Sequence, residues 1–286
     1  MGDRKVCVVG AGYWGKNHIR TLYELDSLGG IVENNTALLQ DISKSYPNVE
    51  SYPSLEDALK NDDFSGFTVA TPAETHFELS KELQKQIVEY AKNKKIPIFS
   101  APSHIKDLEI MKEMDLDIYK IGSDLACHVP LLKKVAKLGK PIILSTGMST
   151  LAEIEDALAI LAFGFVNGNS SKIDPSRKDF QEAFLLEEGK RLLKERVTLL
   201  HCTTEYPAPM NEINLNAMLT MSNVFGLKVG YSDHSEGISV STAATALGAT
   251  LIEKHFTLNK SLPGPDHKAS LLPSEFNQRT FYRNLL

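Results

Sequence analysis

The sequence predicts an α/β fold in two parts: an N-terminal three-stranded Rossmann half, then an incomplete TIM-type (β/α) barrel of about six strands. Three observations carry this. Short apolar runs alternate with helical patterns along all 286 residues, the pattern of a parallel sheet. The first run leads into VVGAGYWG, where Gly10, Gly12 and Gly15 take the G-x-G-x-x-G spacing between a strand and a helix. The last six runs each end abruptly in Ser, Thr, Asp, Lys or His. Reactive side chains at C-terminal strand ends are where barrel enzymes carry their chemistry.

The opening strand KVCVV precedes a helical KNHIRTLYELDSL. A second strand, GGIVENN, a short helix, LEDALKN, and a third strand, SGFTVATP, follow. These three strands are expected in the order 3-2-1. A helix over 75–94 sets Leu79, Leu83, Ile87 and Tyr90 at three- and four-residue steps, which predicts one apolar face. The six later runs are IPIFSAPS, DIYKIGSD, PIILSTGMST, VTLLHCTTEYP, LKVGYSDHS and TLIEKHFT. Residues 164–181, rich in Gly, Ser, Asn and charge, predict a surface excursion before a helix at 182–195. Three strands plus six exceed the eight of a closed barrel. The expectation is therefore two lobes, 1–79 and 80–286, joined inside the helix. The alternative is a closed barrel that borrows strands from the first lobe. An open arc leaves two sheet edges to be covered.

Composition sets the class. At 42% hydrophobic and 23% charged the chain reads as a soluble globular protein. A net charge of -5 without any Lys/Arg block argues against nucleic acid as a partner. No apolar run approaches the roughly 20 residues of a membrane span, and MGDRKVCVVGAG lacks the apolar core of a signal peptide. A cytoplasmic protein is expected. Cys7, Cys127 and Cys202 have no metal-type spacing and read as reduced structural residues.

The glycines at 10, 12 and 15 permit a tight turn and close approach of a pyrophosphate to a helix N-terminus. Glu33, at the end of the second strand, is placed to hold a ribose hydroxyl. The plainer alternative is a tight strand-to-helix turn and nothing more. VVGAGYWGKNHIR, the strand ending at Glu33, and VATPAETHFEL make residues 5–78 resemble the first half of the Rossmann domain of the Gfo/Idh/MocA sugar dehydrogenases. The resemblance implies NAD(P) binding through Gly10, Gly12, Gly15 and Glu33. It also implies a Glu-Lys-Pro motif with the catalytic lysine and a large sugar-binding sheet domain, and neither follows in this sequence.

The later strands carry different chemistry. His234 and His255 end two successive strands, and parallel neighbours lie about 4.8 Å apart, so two imidazoles can share one cation. Such a pair leaves positions open for water and a carbonyl oxygen. Lys120 ends an apolar strand, a costly place for a cation unless it faces an anion. Ser123, Ser145 and Ser232 lie at the same strand ends, either as phosphate donors or as helix caps.

YKIGSD, GKPIILSTGMSTLAEIE, LLHCTTEYPAP, VGYSDHSEGI and IEKHFTLNKSLPGPDHKAS make residues from about Ser80 to Phe276 resemble the sialic acid synthases, including N-acetylneuraminate and legionaminate synthases. The resemblance implies condensation of phosphoenolpyruvate with an N-acetylated sugar aldehyde, giving a nonulosonic acid and phosphate. It implies a divalent metal, manganese or magnesium, on His234 and His255. It implies a phosphoenolpyruvate cradle of Lys120, Ser123, Ser145 and Ser232, with Asp266 and Tyr206 at the sugar. A turn acid and a core tyrosine are the alternatives for those two. His201 reads as a hydrogen-bonded strand residue, and His267 has no assigned role. A homodimer is also implied.

Departures matter. Leu125 stands where many neuraminate synthases carry a sugar-binding Glu, as in legionaminate-type members, and Ala101 replaces a common threonine. The family's first strands, with a glutamate near the metal and a VKFQ lysine, are replaced by the Rossmann half. The resemblance also implies a small C-terminal antifreeze-protein-like domain, and the sequence stops at Leu286, before it. Activity is therefore in question, and the competing readings are a non-catalytic NAD(P)-binding remnant and a recombined reading frame.

Overall fold

The computed structural model describes residues 5–61, 63–71, 73–168, 175–262 and 264–276. The chain divides into two compact units, Met1–Tyr90 and Ala91–Leu286.

In the first unit, β1 (Lys5–Val9), β2 (Leu28–Val32), β3 (Glu50–Tyr52) and β4 (Phe64–Val69) form a parallel sheet in the order β3-β2-β1-β4. The connections are α1 (Tyr13–Glu24), α2 (Thr36–Ser45) and α3 (Leu55–Leu59), and α4 (Ala73–Asn93) follows β4. Successive strand residues face opposite ways. Val8 and Ile31 pack with Ile19 of α1 and Ile42 of α2, while Cys7, Val9 and Val32 pack with Leu55 and Ala58 of α3. Burial of both faces explains why β1 reads as an unbroken apolar run.

The sequence pattern shows three strands here and the structure has four. The extra one, Glu50–Tyr52, is a three-residue edge strand that needs no apolar pattern. It supplies the outer member of the 3-2-1 order, and SGFTVATP pairs with β1, not with β2. In α4 the apolar stripe is rotated from the expected one. Val88 and Ala91 are buried, whereas Ile87 and Tyr90 are 58% and 64% exposed. Leu83 packs against the sheet, and the side chain of Leu79 is outside the described residues. The expected join at 79/80 and the unit boundary at 90/91 both lie within α4.

The second unit contains α5 (Asp107–Glu113), β5 (Tyr119–Ile121), α6 (Val129–Lys137), β6 (Ile142–Ser145), α7 (Leu151–Val166), α8 (Arg177–Leu185) and α9 (Glu187–Arg196). It continues with β7 (Val197–Cys202), α10 (Asn216–Phe225), β8 (Lys228–Asp233), α11 (Ser239–Ala246) and β9 (Ile252–Lys254). All five strands are parallel and lie in chain order. The run IPIFSAPS, expected as a sixth strand, pairs only through Ser100, bridged to Tyr119. Pro97 and Pro102 flank that bridge and cannot donate to a ladder.

A Thr150–Glu153 capping box starts α7, whose residues 157–164 are buried on every side because α6, α8 and α9 pack around it. The helix expected at 182–195 is two helices that meet at the extended Leu186. The expected excursion at 164–181 begins inside α7 and ends inside α8, with 169–174 outside the described residues.

Five strands laid flat would hold their outer members about 19 Å apart. Yet Lys120 on β5 and Glu253 on β9 meet at 3.1 Å. The sheet therefore curls into a half-barrel, and its C-terminal strand ends converge.

Candidate active site

The convergence centres on Glu253, which the sequence pattern did not single out. Its carboxylate lies 3.1 Å from Lys120 Nζ and accepts a 2.7 Å hydrogen bond from Ser232 Oγ, its register partner on β8. The Lys120 side chain is only 12% exposed, so this acid answers the desolvation cost of a lysine at an apolar strand end. The visible signal was the acid-base pair of EKH at a strand end.

His234 is buried, and its Nδ1 lies 2.7 Å from the carbonyl oxygen of Thr203. A carbonyl only accepts, so Nδ1 carries the proton and Nε2 is bare in the neutral ring. Ser232 Oγ is 3.3 Å from that Nε2, but its proton goes to the nearer carboxylate of Glu253. Burial holds the His234 pKa below the ordinary imidazole value. His255 acts the same way, and the Thr203 carbonyl opposes both.

The ring centroids of His234 and His255 are 5.5 Å apart. Tyr206 stacks on His234 at 4.1 Å and meets His255 edge-on at 5.6 Å. A neutral imidazole anchored through its far nitrogen to a backbone carbonyl is the usual arrangement of a metal-binding histidine. The two rings therefore fit a divalent cation as two of its ligands. Among the described residues no group of three or more His, Cys, Asp or Glu side chains is arranged to hold one.

Ser145 ends β6 and is buried; alternation places it on the face of Ile143, the register partner of Lys120. Ser123 Oγ accepts from the Gly147 N–H at 3.0 Å and lies 3.3 Å from Cys202 Sγ. A Cβ on Gly147 would come within 2.9 Å of Thr204, Cys202 and Ser123 side-chain atoms, so only glycine fits there. Asp266 is half-exposed, with Oδ2 3.9 Å from His255 Nδ1, beyond hydrogen-bond range.

One expectation changes. Cys127 is exposed, whereas Cys7 and Cys202 are buried. His201 is the hydrogen-bonded strand residue expected, bonded to the Asn214 backbone, and its buried Nε2 has no hydrogen-bond partner among the described residues. His267, given no role by the sequence, pairs through Nδ1 with Thr257 Oγ1 at 2.9 Å.

In the first unit, Gly10, Gly12, Glu33 and Thr71 line a cavity of about 740 Å³. Glu33 accepts from Ala11 N at 2.8 Å and Asn35 N at 2.9 Å, so two of its roughly four acceptor sites stay open. Gly15 does not line the cavity; it packs against the Gly10 carbonyl. Pro72 lies outside the described residues, as do the side chains of residues 73–80 and of Trp14.

Residues 58–281 match the NeuB family model, and residues 4–94 match an oxidoreductase family model with an NAD-binding Rossmann fold. The chain is 46% identical over 198 residues to an N,N'-diacetyllegionaminic acid synthase of Campylobacter jejuni, covering 69% of this chain and 52% of that protein. It is 37% identical over 198 residues to a protein of the same name from Legionella pneumophila, covering 69% and 49%. The chain thus spans about half the length of the curated relatives it matches. The fold is similar to that of an N-acetylneuraminic acid (sialic acid) synthetase from Leptospira borgpetersenii, solved with citrate. That match has a TM-score of 0.59 and 23% identity, covering 99% of this chain and 84% of the other. The family match spans well over half of the sequence: the chain belongs to the NeuB family.

Proposed function

We propose that this NeuB-family chain condenses phosphoenolpyruvate with an N-acetylated sugar aldehyde, releasing phosphate and forming a nonulosonic acid. The observation that carries the reading is the meeting of Lys120, Glu253, Ser232 and the two histidines at one end of a curled sheet. The reaction joins C3 of phosphoenolpyruvate to the aldehyde carbon, adds water at C2 and expels phosphate.

Lys120 exchanges its Glu253 partner for the phosphate and carboxylate of phosphoenolpyruvate. The hydroxyls of Ser123, Ser145 and Ser232 donate to the same anion, and Glu253 is left to take a proton or hold the attacking water. His234 and His255 would hold a manganese or magnesium ion, which supplies Lewis-acid polarisation of the aldehyde oxygen when bound. Tyr206, stacked on His234, and Asp266, beside His255, are assigned to the sugar. Leu125 and the two legionaminic acid synthase relatives favour a diacetamido hexose over N-acetylmannosamine. The proposed setting is a cytoplasmic homodimer; no described helix is long and apolar enough to cross a membrane.

The test is phosphate release from phosphoenolpyruvate with manganese and each of the two sugars, with His234→Ala as control. Metal-dependent release that the control abolishes is expected. Silence from folded protein would sink the catalytic assignment and leave a family member without the family's reaction.

The cavity at Gly10, Gly12 and Glu33 supports a second reading, NAD(P) binding by the first unit. The lining glycine backbone suits a pyrophosphate and Glu33 a ribose. Calorimetric titration with NAD+ tests it.

A further inference from the structure

We infer that the buried Asp233–Lys254 ion pair is a positioning clamp that fixes His234 against His255. The inference rests on the reading of those two histidines as one metal site. Asp233 and Lys254 are register partners at the last positions of β8 and β9, and each immediately precedes one of the histidines. Their charged atoms lie 3.2 Å apart, with side chains 0% and 1% exposed.

Alternation turns this pair away from the face of Ser232 and Glu253, toward α11, where Ser241 Oγ donates to Asp233 at 2.5 Å. Neither side chain is on the face that carries Ser232 and Glu253, so the pair positions His234 through the backbone, beside a minor through-space effect of the Asp233 charge on its ring. The backbone route is short. Asp233 accepts from both the N–H and the hydroxyl of Ser235, at 2.8 and 2.6 Å, and Lys254 donates to the Ser235 carbonyl oxygen. The residues on both sides of His234 are thereby tied to the residue before His255. His234 keeps two further anchors, its Nδ1 on Thr203 O and its carbonyl on Ala208 N.

Stability alone is a weak reason for this pair, since a buried ion pair is often replaced by apolar residues without loss. The feature it explains is geometry: four donors converge on one carboxylate to fix the turn that carries a candidate ligand.

The experiment compares the parent, Asp233→Asn/Lys254→Met and the milder Ser241→Ala as full chains. Manganese alone is titrated calorimetrically, and metal-free imidazole 15N–1H spectra are recorded. Loss of such outer-sphere anchoring weakens metal binding by about 10–100-fold. The folded double variant should bind manganese at least tenfold more weakly and lose the protected His234 Nδ1–H signal. Ser241→Ala should shift that signal and weaken binding by a smaller factor, which keeps the test alive if the double variant does not fold. A folded variant with the parent's affinity and spectrum overturns the clamp. If the parent itself shows no manganese binding sensitive to His234→Ala, the metal reading falls. The His234 signal then decides the clamp by itself.

Discussion

Two glycines of the same motif should fail in opposite ways. A Cβ added to Gly15 would lie 1.9 Å from the Gly10 carbonyl oxygen, closer than any tolerated contact. Relief requires a backbone shift of more than 1 Å, and overpacking on that scale costs about 3 kcal/mol. Gly12 has φ −67, an ordinary angle for any residue, and nothing lies within 4 Å of an added Cβ. Gly12→Ala should therefore cost under about 1 kcal/mol, the usual range at a helix N-cap. Its methyl nevertheless enters the cavity at the point assigned to the pyrophosphate.

Hydrogen exchange over β1 and α1, with calorimetric titration of NAD+, separates the two effects. Gly15→Ala should lose about two decades of protection, since each 1.4 kcal/mol is a factor of about ten. Gly12→Ala should keep its protection and lose at least about tenfold in NAD+ affinity. Unchanged NAD+ affinity in Gly12→Ala would refute the placement of the pyrophosphate. Unchanged protection in Gly15→Ala would refute the close approach.

Other consequences are as direct. Lys120→Met leaves Glu253 with the Ser232 hydroxyl and no cation, so it should destabilise by about 1–3 kcal/mol and abolish phosphoenolpyruvate binding. Adding Glu253→Gln should recover the stability in urea melts but not the binding. Burial holds His201 and His234 below the ordinary imidazole pKa, while in the unfolded chain both titrate near 6.5. Below that pH the unfolded state binds more protons, so stability falls on acidification from about pH 6.5 until the folded-state values are passed. Urea midpoints at pH 7.5 and 5.5 should differ in that direction, and a higher midpoint at pH 5.5 would contradict the burial argument. Burial pushes the Cys7 thiol up to about 12, and Cys202 is also buried, so iodoacetamide should label Cys127 alone in native protein. Peptide mapping reads the outcome, and rapid native labelling of Cys7 would contradict its burial.

The strongest sequence signals were those in which one physical cause acts along a continuous run. Val8 and Val9 are apolar because the sheet is covered on both faces, and the strand was visible for that reason. Glu50–Tyr52 has one strand neighbour and no apolar requirement, so the same reading passed over it. In α4 the steps Ile87 and Tyr90 fit a helix, but periodicity cannot fix which of two adjacent stripes is buried, and the core took Val88 and Ala91.

The candidate site was legible where strand ends carry reactive groups: Lys120, Ser232, His234 and His255, singled out in the sequence, come together at one end of the curled sheet. What it could not supply was the direction of neighbouring charges. Glu253 and Lys254 are adjacent in the same short strand, yet one turns to Lys120 across the half-barrel and the other to Asp233 beneath α11. Composition makes them a single polar cluster. The pleat divides them into a charge on the face of the assigned site and a charge on the helix-covered face, and register with β8 gives each its partner. A reading that assigned faces by alternation outward from Ser232 would have found both.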